Sequence, residues 1–219
     1  MEKSIESIWK QGFINSDALV APKLNKLYNQ KSIHIIDKFK RMFRINLNAI
    51  VAGSILFLGI SFVIGIPYMG IGFFLTLSII VIVNRRLSRG LNKIDKSESS
   101  YQYIKAFDNW MKQQVSVNRI MARFYYPLFF LSGVLGFWQY HFNGKQLGEA
   151  ITNKLILNYP GIDLIFGVPL FIILGVILMM VMLSYFGGKL YQWDLKVVYG
   201  GVLRKLDEII ADMEELRNT

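Results

Sequence analysis

Residues Ile45–Asn84 read INLNAIVAGSILFLGISFVIGIPYMGIGFFLTLSIIVIVN, 40 consecutive residues without an Asp, Glu, Lys or Arg. A charged side chain at the centre of a bilayer costs at least about 2.5 kcal/mol, so a charge-free run this long is a membrane signal. One crossing helix needs about 20 apolar residues. The run therefore predicts two crossings, roughly 45–64 and 67–84, joined by a tight turn at Gly65-Ile66-Pro67-Tyr68-Met69-Gly70.

Two further gaps lie downstream. Phe124–Gly144 falls between Arg123 and Lys145, and Leu164–Gly188 between Asp163 and Lys189. They predict a third crossing over 124–142 and a fourth over 164–186. Pro127 is expected in the first turn of the third span, where a missing amide is tolerated. Gly187-Gly188 is expected to mark the exit of the fourth, and Pro169 to kink it. Core helices of a soluble protein seldom run this long without a polar face. The expected fold is all-α: a polytopic membrane protein with four transmembrane helices in two hairpins and cytoplasmic helical extensions.

Lys and Arg set the expected orientation. Residues 1–44 hold nine and 85–123 nine, 189–219 hold five, 142–163 two, and the 65–70 turn none. The densest clusters flank the first hairpin: Lys38, Lys40, Arg41 and Arg44 before it, and Arg85, Arg86 and Arg89 after it. These seven residues are read as topology determinants and contacts for anionic lipid head groups. Both termini are placed in the cytoplasm and the chain in a cell inner (plasma) membrane. The Ile, Lys, Asn and Phe bias without Cys fits an AT-rich bacterial genome. The net charge of +10 is assigned to topology, with no nucleic-acid partner, because no base-reading motif accompanies it.

The chain divides accordingly into cytoplasmic N-terminal helices over 1–44, hairpin 1 over 45–84 and a cytoplasmic helical segment over 85–123. Hairpin 2 occupies 124–188, with an outer loop at 143–163, and a cytoplasmic amphipathic helix follows over 189–219. Ile5, Ile8, Trp9 and Phe13 suggest a short amphipathic helix. Leu24, Leu27, Tyr28, Ile35, Ile36, Phe39 and Met42 recur at helical spacing, as do Tyr103, Ile104, Phe107, Trp110, Met111 and Val115.

In the last segment Leu195, Val198, Val202, Leu206, Ile209, Met213 and Leu216 are spaced by three or four residues. This is a coiled-coil-like seam. It suits either an intramolecular helix bundle or self-association with a second copy or a cytoplasmic protein.

Chemistry-bearing patterns are absent from the sequence. With no Cys there is no thiol nucleophile and no Cys-ligated metal site. His34 and His141 fall on opposite sides of the expected membrane. No HExxH, GxSxG, Walker loop or GxGxxG occurs. No catalytic residue, cofactor or metal ligand is assigned. Asn46, Asn48, Ser54, Ser61, Thr76, Ser78, Ser132 and Ser184 are expected to hydrogen-bond between helices. Ala49-xxx-Gly53 and Ser132-xxx-Gly136 are candidate close-contact pairs. Tyr68, Tyr125, Tyr126, Trp138, Tyr140, Tyr185, Tyr191 and Trp193 are read as interfacial anchors. The functional expectation is a non-enzymatic regulator or scaffold whose cytoplasmic helices bind a partner or self-associate. The alternative is an oligomeric transporter or channel subunit.

Overall fold

A computed structural model describes the backbone of residues 5–94 and 100–218, and the side chains of Gln30, 33–94 and 102–212. The chain is almost entirely helical. Helix α1 runs Ile5–Ile64, α2 Pro67–Asn92, α3 Ser100–Trp138, α4 Leu147–Asn158 and α5 Leu170–Asn218. Two-residue strands β1 (His141–Phe142) and β2 (Lys145–Gln146) pair antiparallel, as do β3 (Leu164–Ile165) and β4 (Val168–Pro169). Four helical stretches are long and apolar enough to cross a bilayer: Ile33–Ile64, Pro67–Asn92, Gln102–Gln139 and Leu170–Asp212. At about 1.5 Å per residue, the 26 residues of α2 reach about 39 Å, beyond a hydrocarbon core of about 30 Å.

The turn between α1 and α2 is as tight as the sequence demands. Gly65 adopts φ +88°, and the amide of Ile66 donates to the carbonyl of Ser61 at 2.8 Å. A glycine in the left-handed region with that reach-back bond closes a helix C-terminus in the Schellman manner. Pro67 then opens α2 at its first position, where its fixed φ suits a helix start.

Helix α2 lies between α1 and α3, and α3 packs along α5. The chain thus has two ends. At one, called here the terminal end, residues 35–47 of α1, 103–111 of α3 and 199–209 of α5 come together. At the other sit α4 and the two strand pairs. Both strand pairs turn on two residues with positive φ, Asn143-Gly144 and Phe166-Gly167. Two positive φ values in succession mark the type I′ hairpin turn, whose twist matches paired strands. Each pair feeds a helix: the amide of Leu147 donates to Tyr140 and that of Leu170 to Asp163.

The apolar core sits at the terminal end. Ile35, Ile36, Phe39, Phe43 and Leu47 of α1 meet Tyr103, Ile104, Phe107, Trp110 and Met111 of α3, and Tyr199, Val202, Leu206 and Ile209 of α5. Leu91 of α2 completes the cluster. The rings interlock. Phe39 lies 5.4 Å from Phe107 edge-on and 5.2 Å from Tyr199. Trp110 stands perpendicular to Phe43 at 6.1 Å, and its indole N–H donates to the Leu87 carbonyl at 2.9 Å. Each fully buried side chain of this size adds about 1.5–3 kcal/mol over exposure to water.

Several sequence expectations are corrected by this packing. Gly187-Gly188 does not end a helix, because α5 continues through it. A Cβ on Gly187 would lie 2.6 Å from the carbonyl oxygen of Ala122 and 3.1 Å from the Cα of Arg123. The glycines let α5 and α3 approach backbone to backbone, and that contact outweighs their poor helix propensity. Pro127 lies inside α3 rather than in a first turn. It removes the amide that would bond Arg123, one turn back, beside the Gly187 contact. Pro169 ends β4 ahead of α5 and so kinks nothing.

Of the two small-residue pairs, only one makes a contact. A Cβ on Gly136 would lie 2.4 Å from that of Met69, and one on Gly72 would meet Ser132, whereas Gly53 faces open space. The small hydroxyls bond within their own helices, Ser54 to Val51, Ser61 to Leu58, Thr76 to Gly72, Ser78 to Phe74 and Ser132 to Leu128. Their short side chains reach the preceding turn's carbonyl before they reach another helix.

Candidate functional site

Between the terminal-end core and the spans, all four long helices part around a cavity of about 300 Å³. Its position follows from the helix ends. Asn46 and Ile50 contribute from the beginning of the first charge-free run, Asn84 from its last residue, and Tyr125 and Phe129 from the start of the second. Helix α5 contributes Tyr191 to Tyr199, just past its glycine pair. The cavity therefore lies at the level where apolar sequence gives way to charged sequence.

One wall is a carboxamide cluster. Asn84 of α2 and Asn118 of α3 exchange a reciprocal pair of hydrogen bonds, at 3.0 and 3.1 Å. The remaining amide hydrogens of the pair go to backbone, Asn84 to Ile80 at 2.8 Å and Asn118 to Gln114 at 2.9 Å. Gln114 donates its amide to Asn84. All three are 3–5% exposed. The side-chain Oε1 of Gln114 is buried without a partner, although groups so buried are ordinarily paired.

A second wall is aromatic. Tyr125 lies 4.6 Å from Tyr126 and 5.9 Å from Phe129, ring centre to ring centre. Across from them, Tyr199 accepts a hydrogen bond from the amide of Asn46 at 3.0 Å and stacks beside Phe39. The hydroxyl of Tyr126 donates to Oδ2 of Asp194, the only ionisable carboxyl among the lining residues. No Lys or Arg lines the cavity.

The residues singled out from sequence fall elsewhere. Lys38, Arg41, Arg44, Arg85, Arg86 and Arg89 are exposed, and Lys40 is half-buried. Lys40 and Arg44 of α1 share a hollow of about 130 Å³ with Arg85 of α2. The fold thus gathers three of the seven around one depression. Of the seam, Val202, Leu206 and Ile209 are buried in the core, Leu195 is partly buried against it, and Val198 is half exposed. Met213 and Leu216, like Ile5, Ile8, Trp9, Phe13, Leu24, Leu27 and Tyr28, lie outside the described side chains.

The cavity has no local signature in the sequence. Asn84 closes a charge-free run, and Gln114 and Asn118 sit in a segment read as extramembrane, so no signal joined them. Their spacing of four residues on α3 places both amides on one face, which was the available clue. Tyr125, Tyr126 and Tyr191 were read as interface anchors, yet all three line the cavity. Tyr185 and Trp193, 74% and 67% exposed, do face outward. Among the described residues, no group of three or more His, Asp and Glu side chains is placed to hold a metal ion. Comparison of the chain with protein-family models, with curated proteins and with solved structures gives no match.

Proposed function

We propose that this chain is a non-enzymatic integral membrane protein of a bacterial inner membrane, whose helical terminal end is its working part. The chain crosses the bilayer four times in two hairpins, with both termini and the 85–123 segment in the cytoplasm. The basic residues from Lys38 to Arg44 and from Arg85 to Arg89 hold that orientation and meet anionic head groups. The terminal-end bundle serves as a scaffold or regulator that engages a second copy or a cytoplasmic protein.

The observation that carries this reading is where burial occurs. The large buried side chains concentrate at 35–47, 103–111 and 199–209. In the most apolar window of α5, by contrast, only 6% of residues are buried. A helix apolar all round and scarcely packed suits lipid contact, and a dense core beyond the spans suits a surface held in fixed shape for a partner. Because Val202, Leu206 and Ile209 already pack inside the chain, the surface offered to a partner is the outer face of α5. There Trp193 and Val197, 67% and 69% exposed, stand one turn apart.

The absence of cysteine makes the test clean. Single-cysteine variants at Val197 and at Arg204 are oxidised in native membranes. A disulfide-linked dimer at Val197, or a specific cross-link from it to a cytoplasmic protein, is expected, with none from a cysteine placed at Ile55 in mid-span. Absence of any cross-link at Val197 and Arg204 sinks the reading.

A further inference from the structure

We propose that the cavity between the spans and the terminal-end core is a binding site for a small organic cation: a quaternary or tertiary ammonium group carried on an apolar body. The chain bears +10 overall, and basic residues crowd the same level of the helices. Yet none lines the cavity, and the one carboxyl that does is that of Asp194. A cavity with that lining favours cations over anions, against the sign of the whole protein.

The walls fit the same ligand. Tyr125, Tyr126, Tyr191 and Tyr199 present four phenol rings, joined by Phe39 and Phe129. Aromatic faces carry negative charge density, and rings set around a carboxylate are the usual recognition chemistry for alkylated ammonium groups. Asp194 makes no salt bridge among the described residues. The Tyr126 hydroxyl occupies its Oδ2 and fixes the carboxylate in place, leaving Oδ1 for the ligand. The unpartnered side-chain Oε1 of Gln114 is an acceptor on a residue only 3% exposed that lines the cavity. Such an oxygen is satisfied by an N–H or O–H donor, or by the positive edge of a cation, and not by an anion.

Size sets the body of the ligand. About 300 Å³ is the lower end of the range of roughly 300–1,000 Å³ that small-molecule sites occupy. Leu47, Ile50, Leu77, Ile80 and Met111 give the remaining wall an apolar lining. The cation is a free molecule rather than a lipid head group. A zwitterionic phosphocholine head would bring its phosphate beside Asp194, with no Lys or Arg in the cavity to receive it. This inference does not depend on whether α5 engages a partner.

The test uses full-length protein in detergent, equilibrium dialysis against matched micelles, and benzyltrimethylammonium as probe. Its uncharged carbon isostere, neopentylbenzene, and the anion benzylsulfonate serve as controls. Saturable binding of the cation is expected, at least tenfold tighter than either control. Choline should compete at least tenfold better than phosphocholine. Asp194→Asn, a near-isosteric change at an exposed residue, should weaken the cation at least tenfold and leave the isostere unchanged. Tyr125→Leu should weaken it in the same sense, with folding checked by the melting temperature. Equal binding of cation and isostere, preference for the anion, equal competition by phosphocholine, or undiminished binding by Asp194→Asn would each overturn the proposal.

Discussion

At the scale of single residues, the Asn84–Asn118 pair shows how a chain buries polar groups between two apolar helices. Each amide bonds both the other and a backbone carbonyl of its own helix, so α2 and α3 are locked in one register. Asn84→Leu leaves Asn118 and Gln114 buried with lost partners, and a buried unsatisfied group costs about 1–3 kcal/mol. The expected outcome is a loss of that size, read from denaturant unfolding in mixed micelles. The double replacement Asn84→Leu with Asn118→Leu should cost less than the sum of the two singles, because no orphaned amide of the pair remains. Additive losses would show that the reciprocal bonds contribute nothing.

The glycines sort by what they touch rather than by where they fall in sequence. Gly187 meets the backbone of Ala122 and Arg123, and Gly53 meets nothing. Gly187→Ala should lower stability by about 1–3 kcal/mol through overpacking. Gly53→Ala should be neutral or stabilising, by up to about 1 kcal/mol through helix propensity. Parallel melting curves of the two variants decide the matter; equal effects would mean that α3 and α5 yield at the contact.

At the scale of elements, α5 divides along its length. Its first half is scarcely packed, and its second half carries the seam into the core. Leu206→Ala and Ile209→Ala, at 2% and 1% exposure, should each cost about 2–5 kcal/mol. Val198→Ala, half exposed within the same heptad pattern, should cost under about 0.5 kcal/mol. Periodicity alone ranks the three alike, so the contrast measures what packing adds to pattern. The short strand pairs are a second element-level lesson. Asn143-Gly144 is the strongest two-residue hairpin signal there is, yet it sits where a loop was expected. Phe166-Gly167 lacks that signal and makes the same turn. Phe166 adopts φ +52° although its side chain is fully exposed, so the hairpin backbone rather than side-chain packing sets that conformation.

At the scale of the whole molecule, the distribution of positive charge predicts a labelling pattern. A cysteine at Asn143 should react with a membrane-impermeant maleimide in intact cells. One at Ser88 or Arg204 should react only after the membrane is opened. Labelling of Arg204→Cys from outside would reverse the assigned topology.

What the amino-acid order determined by itself is the presence of four apolar helical stretches long enough to cross a bilayer, and the tight turn at Gly65-Ile66-Pro67. Those follow from local rules: charge-free runs long enough to span, and residues whose backbone preferences end or start a helix. The seam from Leu195 to Leu216 and the stripe from Tyr103 to Val115 were likewise visible as periodicity. Tertiary structure alone decided what each face meets. It turned Val202, Leu206 and Ile209 inward against Phe39 and Phe107. It also put Gly187 against a backbone instead of at a helix end. The cavity belongs wholly to this second level. Its walls come from four helices, and Asn46 and Tyr199, which bond across it, lie 153 residues apart. No local periodicity records such a pairing, because it is set by how the helices cross and where their glycines let them approach.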